Sequence, residues 1–220
     1  MSARLTPEDL LRAYASGVFP MAKSAGARSL FWVDPEERGI LPLDDFHVPR
    51  RLARTVRQGV FSVRINERFA EVMTRCAEAA PDRPSTWINR QIRELYGALH
   101  QMGNAHSVEA YLGDELAGGL YGVTLGAAFF GESMFSRARD ASKIALVHLV
   151  AHLKRKGFRL LDTQFITEHL AQFGAIEIPR ADYLRRLGGC LDSVCRWPEF
   201  GVGPKSICGV EALQSISQTS

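Results

Sequence analysis

No stretch of the 220-residue chain is apolar for long enough to cross a bilayer, and no charged segment followed by an apolar run marks a secretory signal. The expected setting is the cytoplasm, with no membrane partner. Cysteine is scarce. The four, Cys76, Cys190, Cys195 and Cys208, lack the close paired spacing of a zinc site and are expected as reduced thiols with structural or incidental roles. There is no glycine-rich phosphate loop and no metal-ligand spacing, so neither a nucleotide nor a metal cofactor is expected. No serine or cysteine lies in a nucleophile-elbow context, which argues against an acyl-enzyme. Charge of one sign is not in excess either: 27 Lys and Arg against 24 Asp and Glu give a net charge of +3, which tolerates a nucleic-acid partner without requiring one. Hydrophobic content of 46% and charged content of 23% are those of an ordinary globular protein.

The rest of the chain is organised around residues 127–164. An aromatic run at 129–135 (FFGESMF) has the composition of a buried strand but is interrupted by Gly131 and Glu132. Leu146, Leu149, Val150 and Leu153 then recur at helical spacing, with basic residues in the last turn and Gly157 as the stop. Residues 158–165 return to a short apolar run carrying Asp162, Thr163 and Gln164. Strand, crossover helix and strand predict a parallel or mixed sheet. Asp162 and Gln164 are two residues apart, hence on one strand face near its carboxyl end, where open sheets place their ligands. They are candidates for polar chemistry; the alternative is a helix cap or an arginine partner for Asp162.

Upstream, residues 5–16 predict a capped amphipathic helix, 17–21 a turn, 29–33 a short strand, and 38–43 a strand that Pro42 limits to a sheet edge. Residues 49–58 form a basic helix in which Arg50, Arg51, Arg54 and Arg57 are either a solvated face or phosphate contacts. Gly59 marks a boundary between a small domain at 1–59 and a larger one at 60–189. The latter holds a strand at 60–65, a helix at 67–77, a breaker-rich loop at 80–85, a helix at 89–102 and two strands joined by Gly113 and Asp114. A short helix, a strand at 176–179 and a last helix follow, and residues 190–220 read as a loosely attached tail. The class is α+β with a long central mixed sheet. His106, His148, His152 and His169 all fall within elements, where core or surface roles suffice.

The blocks GVFPM at Gly17, TWI at Thr86, HSVEAY at His106, GGLYGV at Gly118, FFGESMFSR at Phe129, ASK at Ala141, LLDTQ at Leu160 and GAIEIPR at Gly174 resemble, in this order, the bacterial leucyl/phenylalanyl-tRNA protein transferases. The resemblance runs from about residue 10 to residue 187, and its long FFGESMFSR block is its most specific part. Departures occur at Asp140, where the family commonly has asparagine; at Phe31 and Trp32, for a tryptophan pair; and at Thr163, for cysteine.

The resemblance implies a small α/β amino-terminal domain joined to a GNAT-like acyltransferase domain, acting as a monomer. The implied reaction moves leucine, phenylalanine or methionine from aminoacyl-tRNA to proteins beginning with arginine or lysine and marks them for degradation. An aminoacyl ester is already activated, so direct attack by an amine needs no cofactor. By the same resemblance Gln164 holds the attacking amine, Asp162 polarises it and helps its proton leave, and Glu132 holds the acceptor's basic side chain, with pairing to Arg137 as the alternative. Trp87, Phe129, Leu120 and Leu149 are candidates for the wall of the donor's apolar pocket. Trp32, Trp87 and Tyr96 are candidates to stack on the terminal adenosine, and Ser107 and Ser133 to bind sugar or backbone. The arginines at 50, 51, 54 and 57, with Lys154, Arg155, Lys156 and Arg159, are the candidate tRNA phosphate contacts.

Overall fold

The computed structural model describes residues 5–79, 85–195, 197 and 208–217. Most of the breaker-rich loop and residues 198–207 of the expected tail therefore lie outside the described residues. Helix α1 (Pro7–Ala15) starts in a capping box, in which Thr6 and Asp9 satisfy each other's backbone N–H, and Pro7 occupies its first turn. The chain then forms a small hairpin of β1 (Phe19–Ala22) and β2 (Leu30–Val33), so the expected turn after Gly17 is largely strand. Next come β3 (Glu37–Ile40), the basic helix α2 (Arg50–Gln58), ended by left-handed Gly59, β4 (Ser62–Ile65), α3 (Phe69–Cys76) and α4 (Arg90–Gln101), capped by the Asn89 side chain.

The meander β5 (Ala105–Leu112), β6 (Glu115–Leu125) and β7 (Ala128–Ser136) leads into α5 (Ala141–Arg155) and β8 (Leu160–Gln164). The short α6 (Glu168–Ala171), β9 (Ile176–Pro179), α7 (Arg180–Leu191) and α8 (Gly209–Ser217) follow. Seven strands make one mixed sheet in the order β4-β5-β6-β7-β8-β3-β9. Only β7 and β8 run parallel, joined through α5; the other pairs are antiparallel. Strand β3 lies inside the sheet, between β8 and β9, and not at its edge. The reason is that it ends at Ile40, two residues before the proline that was expected to expose it. Residues on the amino-terminal side of Gly59 thus complete the central sheet.

Both faces of the sheet are covered. Alternation sends Phe130 and Leu160 into a cluster with Leu10, Tyr14, Val72, Tyr96 and Tyr183, and sends Phe129 and Leu161 into a second cluster with Leu52, Leu146 and Leu149. Helix α5 is apolar on nearly every side because it is packed between the sheet on one side and α2 and α8 on the other. The expected loose tail is corrected here for its described residues. Cys190 is buried inside α7, Trp197 stacks on His106 and lies tilted against His152, and α8 buries Ala212 and Ile216 while Ile216 O accepts from Lys154 Nζ at 3.2 Å. Among the described residues no helix is long and apolar enough to cross a membrane, and no cluster of metal-ligating side chains occurs.

Candidate active site

Pairing between the parallel strands β7 and β8 stops at Phe130 and Asp162. Beyond that point the strands part, and a cavity of about 770 Å³ opens between their carboxyl ends. One wall is apolar, made by Leu120, Met134, Leu146, Leu149, Leu161 and Leu170. Another carries Glu132, Ser133 and Gln164, and Trp87, Met21 and Phe165 stand around it.

Glu132 reaches the cavity because of a β-bulge. Tyr121 pairs with Ser133 and Gly122 with Gly131, which leaves Glu132 as the extra residue, its side chain re-aimed out of the ladder. Its carboxylate accepts from Tyr14 Oη at 2.5 Å and Gln164 Nε2 at 3.0 Å on one oxygen, and from Tyr96 Oη at 3.0 Å on the other. The two tyrosine oxygens also lie against each other, but with both hydroxyl hydrogens given to Glu132 neither donates across that contact; both rings are fully buried. No arginine or lysine among the described residues forms an ion pair with Glu132; Arg137, its alternative partner, binds Glu78 at 2.9 Å. Burial pushes the Glu132 carboxyl up to about 7, the charge of Asp162 adds to that rise, and the three donated hydrogen bonds oppose it. The same burial, with Glu132 beside them, holds the Tyr14 and Tyr96 hydroxyls well above their usual range, so both remain donors.

Gln164 presents its amide to the same wall. Because Nε2 donates to Glu132, the amide oxygen is the atom of this cavity-lining side chain left to accept. Asp162 shares its strand face but is 0% exposed and does not line the cavity. Its carboxylate accepts from Arg38 Nε at 3.0 Å and Nη2 at 2.6 Å, from Tyr183 Oη at 2.7 Å and from the Gln164 N–H at 2.7 Å. A carboxylate this dry needs a cation and several donors, and turning towards them turns it away from the cavity.

The structure therefore gathers Glu132, Gln164, Trp87, Leu120, Leu149 and Ser133 around one space. Tyr96 lies behind Glu132, edge-on to Tyr121, with no face open to a base. Phe129 faces the core against Trp197, and Ser107 is buried with its hydroxyl on Glu109 at 2.7 Å; neither lines the cavity. Trp32 is 46% exposed on the β1–β2 hairpin, where it pairs with Pro20, while cavity-lining Met21 pairs with Phe31.

Among the candidate phosphate contacts, Arg50, Arg54 and Arg57 are exposed on α2, whereas Arg51 is held by Asp140 through two bonds of 2.7 and 2.8 Å. Lys154 is largely buried against α8, and Arg159 bonds Gly189 O and Ser193 Oγ; Arg155 and Lys156 are exposed. The α5 basic end lies one to two turns, about 9 Å, beyond Leu149, the last residue of that helix to line the cavity.

Sequence reasoning passed over Tyr14, Arg38 and Tyr183. Tyr14 looks like one more apolar residue of an amphipathic helix, and Arg38 opens a short strand beside a proline. Only an unpaired carboxylate downstream signals that each is needed.

The profile of the leucyl/phenylalanyl-tRNA protein transferase family matches residues 40–188, and that of its N-terminal domain matches residues 3–36. A leucyl/phenylalanyl-tRNA–protein transferase of Caulobacter vibrioides is 57% identical over 220 residues, covering the whole of both chains. One from Rhodopseudomonas palustris is 56% identical over 216 residues, covering 98% of this chain and 94% of the relative. Among solved structures, L-PGS from Bacillus licheniformis overlaps 74% of this chain and 55% of its own at 13% identity and a TM-score of 0.38, a likeness too slight to argue from. The profiles and the full-length identities establish that the chain belongs to the leucyl/phenylalanyl-tRNA protein transferase family of aminoacyltransferases.

Proposed function

We propose that the chain transfers leucine, phenylalanine or methionine from aminoacyl-tRNA to the α-amino group of proteins that begin with arginine or lysine, by direct attack on the ester and without an acyl-enzyme. The observation that carries this reading is the Glu132 carboxylate, set by the bulge at the cavity wall with three neutral donors and, among the described residues, no ion-paired cation. A buried carboxylate in that state favours a guanidinium or ammonium, and an acceptor beginning with arginine or lysine supplies one.

With the acceptor's side chain on Glu132, its α-amine lies beside Gln164, whose amide oxygen accepts an N–H and turns the lone pair towards the ester carbonyl; the C–N bond forms, the ester C–O bond breaks, and the proton lost by the amine passes to the departing ribose oxygen of the tRNA. An α-amine titrates near roughly 8, so a useful neutral fraction exists at neutral pH, and fixing it against the ester supplies most of the acceleration. Asp162 acts on this step through Gln164, by holding its backbone N–H. The donor's side chain enters the apolar wall of Leu120, Leu149 and their neighbours, where burial of a leucyl or phenylalanyl group contributes about 1.5–3 kcal/mol. Trp87 is the aromatic best placed to stack on the terminal base, worth roughly 1–3 kcal/mol. The exposed arginines of α2 draw the tRNA phosphates: Arg51 ties that helix to Asp140 at the start of α5, the end that lines the cavity.

The parting of β7 and β8, and the helix between them, support a GNAT-like arrangement for the larger domain at 60–189, whose sheet residues 1–59 complete with β3 and on which the 190–220 segment packs α8. The protein works in the cytoplasm, as a monomer, and marks its acceptors for degradation. The test is to incubate the protein with labelled leucyl-tRNA and peptides differing only in a first residue of arginine, lysine or alanine. Label should reach the first two alone; label on all three equally, or on none, would refute the reading.

A further inference from the structure

The Gln164 backbone is forced. Its φ is 64°, left-handed for a residue with a side chain, and the Phe165 N–H bonds Thr163 O at 2.7 Å across it, so Gln164 is the centre of a three-residue turn of the rare, strained kind. Such conformations persist where the surroundings over-determine them. Here strand β3 does so from two sides.

Gly39 pairs with Gln164, and a Cβ on Gly39 would lie 2.7 Å from the Phe165 carbonyl carbon and 3.0 Å from its Cα. The turn rests on bare backbone. One residue earlier, Arg38, 1% exposed, grips both Asp162 oxygens and donates Nη1 to Gly17 O at 2.9 Å. Its guanidinium is held between the rings of Phe19 and Tyr183, at 4.5 and 4.6 Å from their centroids. Thus fixed, Asp162 receives the Gln164 N–H and Tyr183 Oη.

We infer that Arg38, Gly39 and Tyr183 are positioning residues for the transfer step: β3 is the template that imposes the strained turn and thereby aims the Gln164 amide at the attacking amine. This rests on the role given to Gln164 above. It separates the residues that touch substrate, Glu132 and Gln164, from an ion pair that never does but whose geometry decides where the amide points.

The test is a double-mutant cycle of Gly39→Ala with Gln164→Ala, read as kcat and both KM values for leucyl-tRNA and an arginine-initiated peptide, with a thermal melt of each variant. Gly39→Ala alone should lower kcat on the order of 10- to 100-fold, the scale of a misplacement near 1 Å, and leave the KM for leucyl-tRNA within about two-fold. In the Gln164→Ala background it should lower kcat no further, because there is no amide left to aim. Equal losses in both backgrounds, or no loss in either, would overturn the inference. Wild-type kcat in Gln164→Ala alone would instead refute the role of Gln164 itself. Should Gly39→Ala fail to fold, Tyr183→Phe, which removes one hydrogen-bond donor to Asp162, enters the same cycle with the same criteria and an expected loss of about three- to ten-fold.

Discussion

Burial raises the Glu132 carboxyl to about 7, so the role proposed for it predicts acceptor binding that depends on pH within the physiological range. The charged form binds a cationic side chain, so the KM for an arginine-initiated peptide should rise as pH falls through 7 and level off above about 8, with the KM for leucyl-tRNA unaffected; initial-rate kinetics across pH 5.5–8.5 measure both. The same shift acts on stability with a definite sign. The folded protein holds the Glu132 proton to higher pH than the unfolded chain, whose ordinary value is 4.5, so this residue costs stability increasingly as pH rises from 4.5 to 7. Glu132→Gln should remove that cost and raise the melting temperature at pH 8 while abolishing preference for basic acceptors; an unchanged melt with lost preference would mean the carboxylate is better solvated than its neighbours suggest. At this scale the sequence was partly legible. A glutamate beside a glycine in an aromatic strand announces itself, whereas the partners that tune it, Tyr14 and Tyr96, lie 118 and 36 residues away and look like core.

Helices and strands were easier to find than their neighbours. Periodicity and capping residues located α1, α4, α5 and the meander, because those signals are local. The place of β3 between β8 and β9 is set by long-range pairing, and a strand of four residues beside a proline gives no hint of it. Helix α8 escaped notice for a related reason: its apolar face is short, and it is stabilised mainly by packing on α5 and α2. Removing residues 208–220 should lower unfolding free energy by about 2–4 kcal/mol, from re-exposure of the Ile216 side chain and the surface beneath it, as read by urea denaturation; no change would restore the loose tail. For α2, Arg50→Glu with Arg54→Glu should raise the KM for aminoacyl-tRNA and flatten its salt dependence by about two units of slope, whereas Arg155→Glu with Lys156→Glu, at the far end of α5, should change little.

For the molecule as a whole, three buried histidines set the acid limit. Burial lowers His106 to about 3 and His148 and His152 to about 4; His100 and His152 add to the fall at His106 and Lys156 and Arg155 to that at His152, while burial alone acts on His148. Their folded values lie below the ordinary 6.5, so the unfolded chain takes up protons first and stability, full above 6.5, is lost as pH falls towards 4. Glu132 works in the opposite direction over part of that window, but the histidines outnumber it. Net stability measured by denaturation should therefore fall from pH 6.5 to pH 4.5, and the loss should shrink in His152→Leu. Fold class and the order of elements could be read from the sequence because they follow from periodicity; the division of labour inside the site could not, because it depends on which carboxylate the folded chain supplies with a cation. Asp162 has Arg38, and Glu132 has no ion-paired cation among the described residues. The account's central claim is that this unpaired carboxylate and the amide beside it orient the acceptor amine. Single-turnover transfer of labelled leucine from leucyl-tRNA to an arginine-initiated peptide, both saturating, tests it most directly in Gln164→Ala beside the unaltered chain. The account predicts a rate lower by roughly 100-fold with tRNA binding intact. Transfer at the unaltered rate would contradict it.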